Sequence, residues 1–424
     1  MSVTAEALDL PPAPPAPGRA TPWIGALAIA VCALTPVLAY LGNLGFAVLI
    51  ALAGALCLPL RLRPHRLDLG ACVLFALALW ALASMAWSFA APAHPDFRGF
   101  KAVEQLTAAK LFPQLALYGA FVAAVAELSR TASARASLTL GIGLLAISVV
   151  FVADAAFKAP VYQAIRAAVG QAAQRPDLAL RDVSRTAYVL ALMFWPAVLR
   201  LSQAGWRPAA AVLAAATVVG AYLLNADAPV AALIVSSAVF AAVRYGGRPA
   251  VWVLLAGVVL YFLAAPLVVL VFDRGQMLHP AANDIRVQSW AIRLDIWRFA
   301  VARILEHPFF GWGLDASRMF SPNIPLHTHD AAIQIWLELG AVGAVLACLF
   351  WAWVVVQIDK LEARDRPAAA AAAAAVAAYL TIGALSFGVW QEWWLALGAL
   401  TAAVCMALAK GRASEAAVSA PEPS

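Results

Sequence analysis

The sequence predicts an all-α integral membrane protein with about twelve transmembrane helices and one large extracytoplasmic loop. Of its 424 residues, 64% are hydrophobic and only 12% are charged, and the mean hydropathy is +0.83. Soluble domains carry about 25% charged residues, so a soluble fold of this composition would expose a large apolar surface to water. Apolar runs also recur at the length that a bilayer core about 30 Å thick requires, about 20 helical residues. Lipid is therefore the expected solvent.

Twelve apolar runs are candidates for membrane spans. They lie near residues 23–40, 44–60, 69–90, 111–127, 134–157, 186–201, 208–224, 229–243, 250–272, 332–356, 367–388 and 391–410. Residues 1–22 contain a proline tract and lack the basic start and cleavage site of a signal peptide, so we predict a disordered tail there. Residues 411–424 receive the same interpretation. The alanine run at 368–378 predicts close packing of neighbouring helices, because small side chains let backbones approach.

Arginine and lysine follow one parity of the short loops between these runs. In chain order they are Arg61, Arg63, Arg66, Arg130, Arg135, Arg200, Arg207, Arg244, Arg248, Lys360, Arg364, Arg366, Lys410 and Arg412. Under the positive-inside rule these loops and both terminal tails are cytoplasmic. The opposite parity holds three long segments, 91–110, 158–185 and 273–331, and five of the six histidines. We therefore predict nine spans within 23–272, a large periplasmic catalytic loop at 273–331 and three spans within 332–410 of a bacterial inner-membrane protein.

Charge and cysteine content argue against two other classes of protein. The net charge of +6 does not indicate nucleic-acid binding, because the charges separate hydrophobic spans and form no basic stripe. The five cysteines all fall in apolar segments, at Cys32, Cys57, Cys72, Cys348 and Cys405. We therefore expect neither a disulfide framework nor a thiolate metal site.

Residues 284–313 contain an amphipathic helix that ends before Pro308 and is followed by a glycine-rich turn. Its apolar stripe consists of Trp290, Leu294, Trp297, Val301 and Ile304. Two tryptophans on such a helix suit the membrane–water interface. Arg286 and Arg293 are seven residues apart and share a face near the stripe. They either contact lipid headgroups or bind a diphosphate, because a planar guanidinium can pair with two phosphate oxygens at once.

His327 and His329 come directly before the next span, at the depth of a lipid-linked headgroup. A metal site with Asp330 is one interpretation, but a site needs three or four ligands and no further cluster is evident. A structural histidine is the second interpretation, and a general base is the third, because imidazole titrates near neutral pH. Glu338, further along the same span, is either a capped interfacial carboxylate or a buried partner for an arginine.

The stretch RLDIWRFAVARILEHPFFGWGLDASRMF, followed by HTHDAAIQIWLELGAVG, resembles the O-antigen ligase and polymerase superfamily of bacterial membrane glycosyltransferases. The ligase-type motif has a histidine, an amide or hydroxyl residue, nine further residues, and then Gly-x-x-Gly or similar. His329, Gly340 and Gly343 fit this motif, whereas Asp330 replaces the amide or hydroxyl residue. The upstream Arg-x-x-Ile-Trp element and the proline–glycine turn match at Arg293, Ile296, Trp297, Pro308, Gly311 and Gly313. The specific matches cover about residues 285–345.

The resemblance implies a GT-C-like membrane glycosyltransferase that moves O-antigen polysaccharide from undecaprenyl diphosphate to lipid A–core on the periplasmic side. The transfer would invert the sugar configuration and would need neither a metal ion nor another cofactor. Its partners would be the lipid-linked donor, the lipid A–core acceptor and membrane lipids, without nucleic acid.

The resemblance also implies roles for single residues. His329 would be the general base, and Arg293 would bind the diphosphate, with Arg286 on the same helix as a further candidate. A second essential arginine is expected before a mid-chain span, which favours Arg185, with Arg181 in reserve. The residues left for supporting roles are His327, Asp330 and Glu338.

Other functions remain alternatives at this point. The His-x10-Gly-x-x-Gly spacing favours a ligase over an O-antigen polymerase or a protein O-oligosaccharyltransferase of the same superfamily. A lipid-linked glycan transporter and a membrane scaffold are alternatives of different classes. Transporters usually show internal repeats and charged or broken helices at the bilayer midplane, whereas the predicted spans here are nearly free of charge.

Overall fold

The computed structural model describes residues 20–58, 68–90, 107–274 and 285–418. These residues form helices joined by turns, and no strand occurs among them. In chain order the helices are α1 (Ala20–Leu41), α2 (Gly45–Cys57), α3 (Leu69–Ser84), α4 (Thr107–Ala126), α5 (Arg130–Phe157), α6 (Pro160–Ala168), α7 (Pro176–Ser184), α8 (Thr186–Gln203), α9 (Arg207–Leu223), α10 (Asp227–Gly246), α11 (Arg248–Arg274), α12 (Ile285–Glu306), α13 (Ala331–Glu362), α14 (Arg366–Leu385) and α15 (Glu392–Val418). A short 3-10 helix lies at Ala316–Met319.

The protein is an all-helical, multi-pass membrane protein, as predicted. Among the described residues, eight helices are long and apolar enough to cross a bilayer, namely α1, α4, α5, α10, α11, α13, α14 and α15. All twelve predicted segments form helices, but α2, α3 and α9 have only 13, 16 and 17 described residues. At 1.5 Å per residue each is about 20–26 Å long, less than the hydrocarbon core about 30 Å thick. The remaining predicted segment, α8, has 18 residues but is not among the helices apolar enough to cross. Length and apolarity in the described part of the chain together support eight crossings, whereas twelve were predicted.

Two predicted boundaries change. The predicted disordered tail after residue 410 begins as helix, because α15 continues to Val418. The second boundary is the start of α4 at Thr107, inside the predicted loop 91–110. The remaining parts of both predicted tails, residues 1–19 and 419–424, lie outside the described residues, as do 59–67, 91–106 and 275–284.

The alanine-rich helix α14 lies at the centre of the bundle. It packs against α8, α10, α13 and α15, and the side chains of Ala369, Ala370, Ala371, Ala373 and Ala374 are fully buried. Methyl side chains let these four helices approach closely around one axis. The packing role predicted for the alanine run is confirmed.

The helices divide around two buried apolar clusters. The first joins α1, α2, α4, α5, α8 and α15, and the second joins α3, α11, α12 and α13. Side chains from both sides meet at one end of the bundle, where Tyr188 of α8 and His329 before α13 both contact Ser386 after α14. The candidate site therefore lies where the two halves of the bundle converge.

Candidate active site

The span after the histidine pair is broken in its first half. Gly340 has φ 64° and ψ −163° inside α13, so the carbonyls before it lose their helical partners. The Leu337 carbonyl accepts from the Trp312 N–H at 2.9 Å, and the Glu338 carbonyl accepts from the Gly313 N–H at 2.8 Å. On the other side of the break, the Ala341 N–H donates to the Pro308 carbonyl at 2.8 Å. The loop 308–313 therefore fills the gap and satisfies the backbone groups that lipid could not.

Glycine is required on both sides of this junction. Gly311 and Gly340 have φ of 68° and 64°, a region that other residues rarely adopt. A Cβ on Gly311 would lie 2.5 Å from the Glu338 backbone, and a Cβ on Gly340 would lie 2.3 Å from the Phe309 carbonyl oxygen. The proline–glycine turn and the glycine of the His-x10-Gly motif thus form a single structural unit. The sequence predicted the turn but not its insertion into the helix.

Glu338 ties this junction to the turn before α15. Its fully buried carboxyl accepts from Ser317 Oγ at 2.6 Å, from Gln334 Nε2 at 3.0 Å and from Trp390 Nε1 at 2.6 Å. These partners are neutral, so neither predicted role, an interfacial carboxylate or an arginine partner, describes it. Glu338 holds together three chain segments beneath the site.

Asp330 is the N-cap of α13. Its carboxylate accepts from the Ile333 N–H at 2.9 Å, and the Tyr261 hydroxyl donates to it at 3.4 Å. Burial raises the pKa of Asp330 to about 7. Asparagine and serine cap helices as aspartate does, which gives a physical reason why an acidic residue can occupy the motif's amide or hydroxyl position.

The turn that carries His329 is held by its neighbours. His329 has φ 57°, and its N–H donates to His327 Nδ1 at 3.1 Å. Thr328 Oγ1 donates to the Asp330 carbonyl at 2.7 Å, and the Thr328 carbonyl accepts from Trp297 Nε1 of α12 at 2.8 Å. Trp297 thus holds the histidine turn against α12, so it faces protein and not only the membrane interface predicted from sequence.

The His329 imidazole is fixed in one tautomer. Its Nδ1 lies 2.9 Å from the Ser386 carbonyl oxygen, which can only accept, so Nδ1 carries the hydrogen and Nε2 carries the lone pair. Burial lowers the pKa of this half-buried ring, the Ser386 hydrogen bond raises it, and the Arg293 charge lowers it, with a net decrease. The ring is therefore neutral at pH 7, and Nε2 can accept a proton.

His327 has a different environment although its ring centroid lies 4.2 Å from that of His329. It is buried against Gly388, and its Nδ1 is occupied by the His329 N–H. Burial, His329 and Arg318 together lower the pKa of His327 to about 3. Both Nδ1 atoms of the pair are engaged, and the described part of the chain contains no group of three His, Cys, Asp or Glu residues that could hold a metal ion.

Two of the predicted arginines converge on this site from different elements. Arg293 of α12 lies 5.0 Å above the Trp290 ring, and its charge acts on His329. Arg185, at the start of α8, has a side chain that is 53% exposed and lies 3.6 Å from Asp182. The charges of both arginines act on Tyr188. Arg185 and Arg293, more than 100 residues apart in sequence, therefore both lie within electrostatic range of Tyr188, and Arg293 also lies within range of His329.

The α6–α7 hairpin sets the position of Arg185. Asp154 at the end of α5 is fully buried and accepts from the Val161 N–H at 2.8 Å and the Tyr162 N–H at 3.1 Å. The Tyr162 hydroxyl then donates to Asp182 at 3.3 Å, and Asp182 pairs with Arg185. A chain of polar contacts thus links the buried end of α5 to the arginine.

The other two predicted arginines are Arg181 and Arg286. Arg181 is exposed on α7, and no contact with the site is seen for its side chain among the described residues. Arg286 belongs to α12, but its side chain lies outside the described part of the structure.

Three residues near the site were not predicted from sequence. They are Tyr188, Ser386 and Asp227, whose charge also acts on Tyr188. A tyrosine three residues after Arg185, and a serine in the turn between the last two spans, were the available signals. Neither stands out without the tertiary contacts.

Part of this site lies in a segment that is similar to a known protein family. Residues 209–348 match the model of the O-antigen ligase family. The matched segment includes Arg293, His329, Asp330 and Gly340, whereas Arg185 and Ser386 lie outside it.

Named relatives agree with the family. A Rickettsia conorii protein that carries the name polysaccharide ligase is 34% identical over 125 residues, covering 26% of this chain and 30% of that protein. Proteins of the same name in Rickettsia felis and Rickettsia prowazekii are 32% and 31% identical over 125 residues, with the same coverage. The chain thus spans about a third of the length of the relatives that it matches.

Proposed function

We propose that this protein is an O-antigen ligase, a membrane glycosyltransferase that moves a finished O-antigen polysaccharide from undecaprenyl diphosphate to lipid A–core. The proposed site is the end of the bundle formed by Arg185, Arg293 and His329, facing the periplasm across the bacterial inner membrane. The observation that carries the proposal is a neutral, tautomer-fixed imidazole under the charge of Arg293, in a segment that matches the O-antigen ligase family. Arg185 acts on Tyr188, which Ser386 links to the same imidazole.

The arginines have the chemistry of a diphosphate site. Arg293 makes no ion pair with any described carboxylate, although it is half-buried, so its charge is available to a ligand. Guanidinium groups pair with phosphate oxygens through two parallel hydrogen bonds. Two arginines from different elements would hold both phosphates of a lipid-linked donor.

The transfer step follows from this arrangement. His329 Nε2 removes the proton from an acceptor sugar hydroxyl, and the oxygen attacks the anomeric carbon of the donor from the face opposite the diphosphate. The bond between the anomeric carbon and the diphosphate oxygen breaks, and its electron pair leaves with undecaprenyl diphosphate. The arginines stabilise the charge that grows on the leaving group, an effect that is usually the largest single contribution to catalysis.

The membrane helps to align the two substrates. Donor and acceptor would both be anchored by lipid chains in the same leaflet, so the hydroxyl, the base and the diphosphate need only lateral alignment. The helix break at Gly340 also bears on the transporter alternative. Protein backbone fills that break, so it offers no open ion or substrate site of the kind that broken transporter helices form.

A deletion strain tests the proposed reaction. We expect loss of the protein to leave long polymer on the undecaprenyl carrier and unmodified core on the lipopolysaccharide, visible by gel electrophoresis and mass spectrometry. Wild-type protein should restore the polymer-bearing lipopolysaccharide, and the His329→Ala variant should not. Core capped with single repeat units would identify a polymerase instead and would contradict the ligase assignment.

A further inference from the structure

Tyr188 follows Arg185 by three residues in α8 and is linked to the proposed base through Ser386. Its hydroxyl lies 3.3 Å from Ser386 Oγ, and the carbonyl of the same Ser386 accepts from His329 Nδ1 at 2.9 Å. Ser386 therefore contacts Tyr188 through its side chain and His329 through its main chain. Ser386 thus links α8 to the histidine turn.

Two arginines act on Tyr188. Arg185 lies three residues before it, on the same face of the chain at the start of α8, and the charge of Arg293 on α12 also acts on it. Asp227, at the start of α10, is the carboxylate whose charge acts on it. Arg185 is partly neutralised by Asp182. Arg293 is therefore the cation near the phenol that has no described carboxylate partner.

The ring of Tyr188 is held in place by an aromatic neighbour. Its centroid lies 4.6 Å from that of Phe387, at an interplanar angle of 55°. Aromatic contacts of this geometry stabilise a fixed ring orientation. The hydroxyl therefore points to the Ser386 turn without a large entropic cost.

We propose that Tyr188 is a further catalytic residue, whose hydroxyl donates a hydrogen bond to the leaving diphosphate between Arg185 and Arg293. The inference rests on the proposed transferase function and deepens it. The phenol keeps its proton throughout, so it adds a neutral donor where negative charge grows as the anomeric bond breaks. In the free protein the hydroxyls of Tyr188 and Ser386 hydrogen-bond to each other. When the diphosphate is present, the Tyr188 O–H would donate to it, and Ser386 Oγ would donate to the Tyr188 oxygen.

The Tyr188→Phe variant tests this role because it removes one oxygen and keeps the ring. We expect the rate of glycan transfer to fall about 10²-fold, the effect of losing one donor to a developing oxyanion, while the unfolding midpoint in detergent is unchanged. Tyr222→Phe is the matched control, since Tyr222 lies 72% exposed at the end of α9, and it should transfer at the wild-type rate. Ser386→Ala removes the hydroxyl but keeps the carbonyl that holds His329, and it should cost less than about tenfold, the size of one neutral hydrogen bond.

Binding of undecaprenyl diphosphate to the purified protein separates this inference from the function on which it rests. If the wild-type protein neither binds this probe nor transfers glycan, the proposed function fails. If the wild-type protein does both and Tyr188→Phe transfers at the wild-type rate, the role of Tyr188 is overturned while the function stands. The catalytic role of Tyr188 would also be overturned if Tyr188→Phe and Ser386→Ala lost equal transfer rate, or if Tyr188→Phe had a lower unfolding midpoint. Either result would show that the hydrogen bond between Tyr188 and Ser386 is only structural.

Discussion

At the scale of single residues, His327 and His329 lie in one turn but have different chemistry because their surroundings differ. His327 is buried, and its Nδ1 binds the backbone of the next turn residue. His329 is half-buried, and its Nδ1 is bound by a carbonyl that leaves Nε2 with its lone pair. The sequence gives both the same residue type two positions apart. Their difference follows from contacts with Ser386 and Gly388, which are more than 50 residues away.

The pH dependence of transfer should report the state of His329. Burial, opposed by the Ser386 hydrogen bond and assisted by Arg293, lowers the pKa of His329 below its ordinary value of 6.5. The base works only when it is neutral, so activity should be lost as pH falls through that pKa. We expect kcat/KM to be constant from pH 7 to 8, with an acid limb whose midpoint lies below 6.5. A midpoint above 7 in protein that remains monodisperse would contradict the assignment.

Asp330 should make the fold more stable at acid pH than at neutral pH. Burial raises the pKa of Asp330 from 3.8 to about 7 in the folded protein, so the folded state keeps a proton that the unfolded state releases. The free energy of unfolding should therefore fall as pH rises between these values. Asp330→Asn should remove this contribution and keep the helix cap, whereas Asp330→Ala should cost about 1 kcal/mol. Unfolding midpoints of the three proteins across this pH range provide the measurement, and identical pH profiles for wild type and Asp330→Asn would refute the shift.

At the scale of elements, the broken helix α13 and the loop 308–313 form one unit that supports the site. The loop supplies the donors and acceptors that α13 loses at Gly340. Trp80 of α3 also donates to the Leu339 carbonyl at 3.0 Å. Hydropathy could not predict this break, because Gly340 lies within a continuous apolar run and a window average does not register one backbone conformation. The turn was predictable, but its insertion depends on contacts between segments about 30 residues apart.

A Gly340→Ala substitution should destabilise this unit. The added Cβ would overlap the Phe309 carbonyl and would require φ near 64°, so either the loop or the helix must move. We expect a marked decrease in the unfolding midpoint and in the yield of monodisperse protein. Gly257→Ala is the matched control, because a Cβ at Gly257 in α11 would meet no atom within 4 Å. An unchanged midpoint in Gly340→Ala would show that the junction contributes little to stability.

At the scale of the whole molecule, hydropathy and charge alternation predicted the fold class and the position of every described apolar helix. They did not predict that α3 would end at Ser84, because apolar residues continue into the turn that follows it. The site was predicted in part. His329 and Arg293 lie within one stretch of sequence that carries recognisable motifs. Tyr188 of α8 contacts Ser386, at the end of α14, only because these two helices pack together.

The orientation of the bundle is a prediction that labelling can test. Asn323, exposed in the loop before the histidine pair, is predicted to be periplasmic, and Arg364, exposed between α13 and α14, is predicted to be cytoplasmic. We expect Asn323→Cys to react with a membrane-impermeant thiol reagent in intact spheroplasts and Arg364→Cys to react only after permeabilisation. The unsubstituted protein, with its five native cysteines, provides the background. The reverse pattern would invert the orientation and remove the proposed periplasmic active site.

Transfer by the purified protein tests the proposed chemistry most directly. The assay would combine polysaccharide on undecaprenyl diphosphate with lipid A–core in the presence of EDTA and would measure the glycosylated product. We predict transfer by the wild-type protein and a loss of about 10²–10⁴-fold in His329→Ala, the usual contribution of a general base. His327→Ala should keep more activity than His329→Ala, because His327 supports the turn and would not touch the acceptor. Full activity in a folded His329→Ala protein, or activity that EDTA abolishes and a divalent ion restores, would contradict a histidine-based, metal-independent transfer.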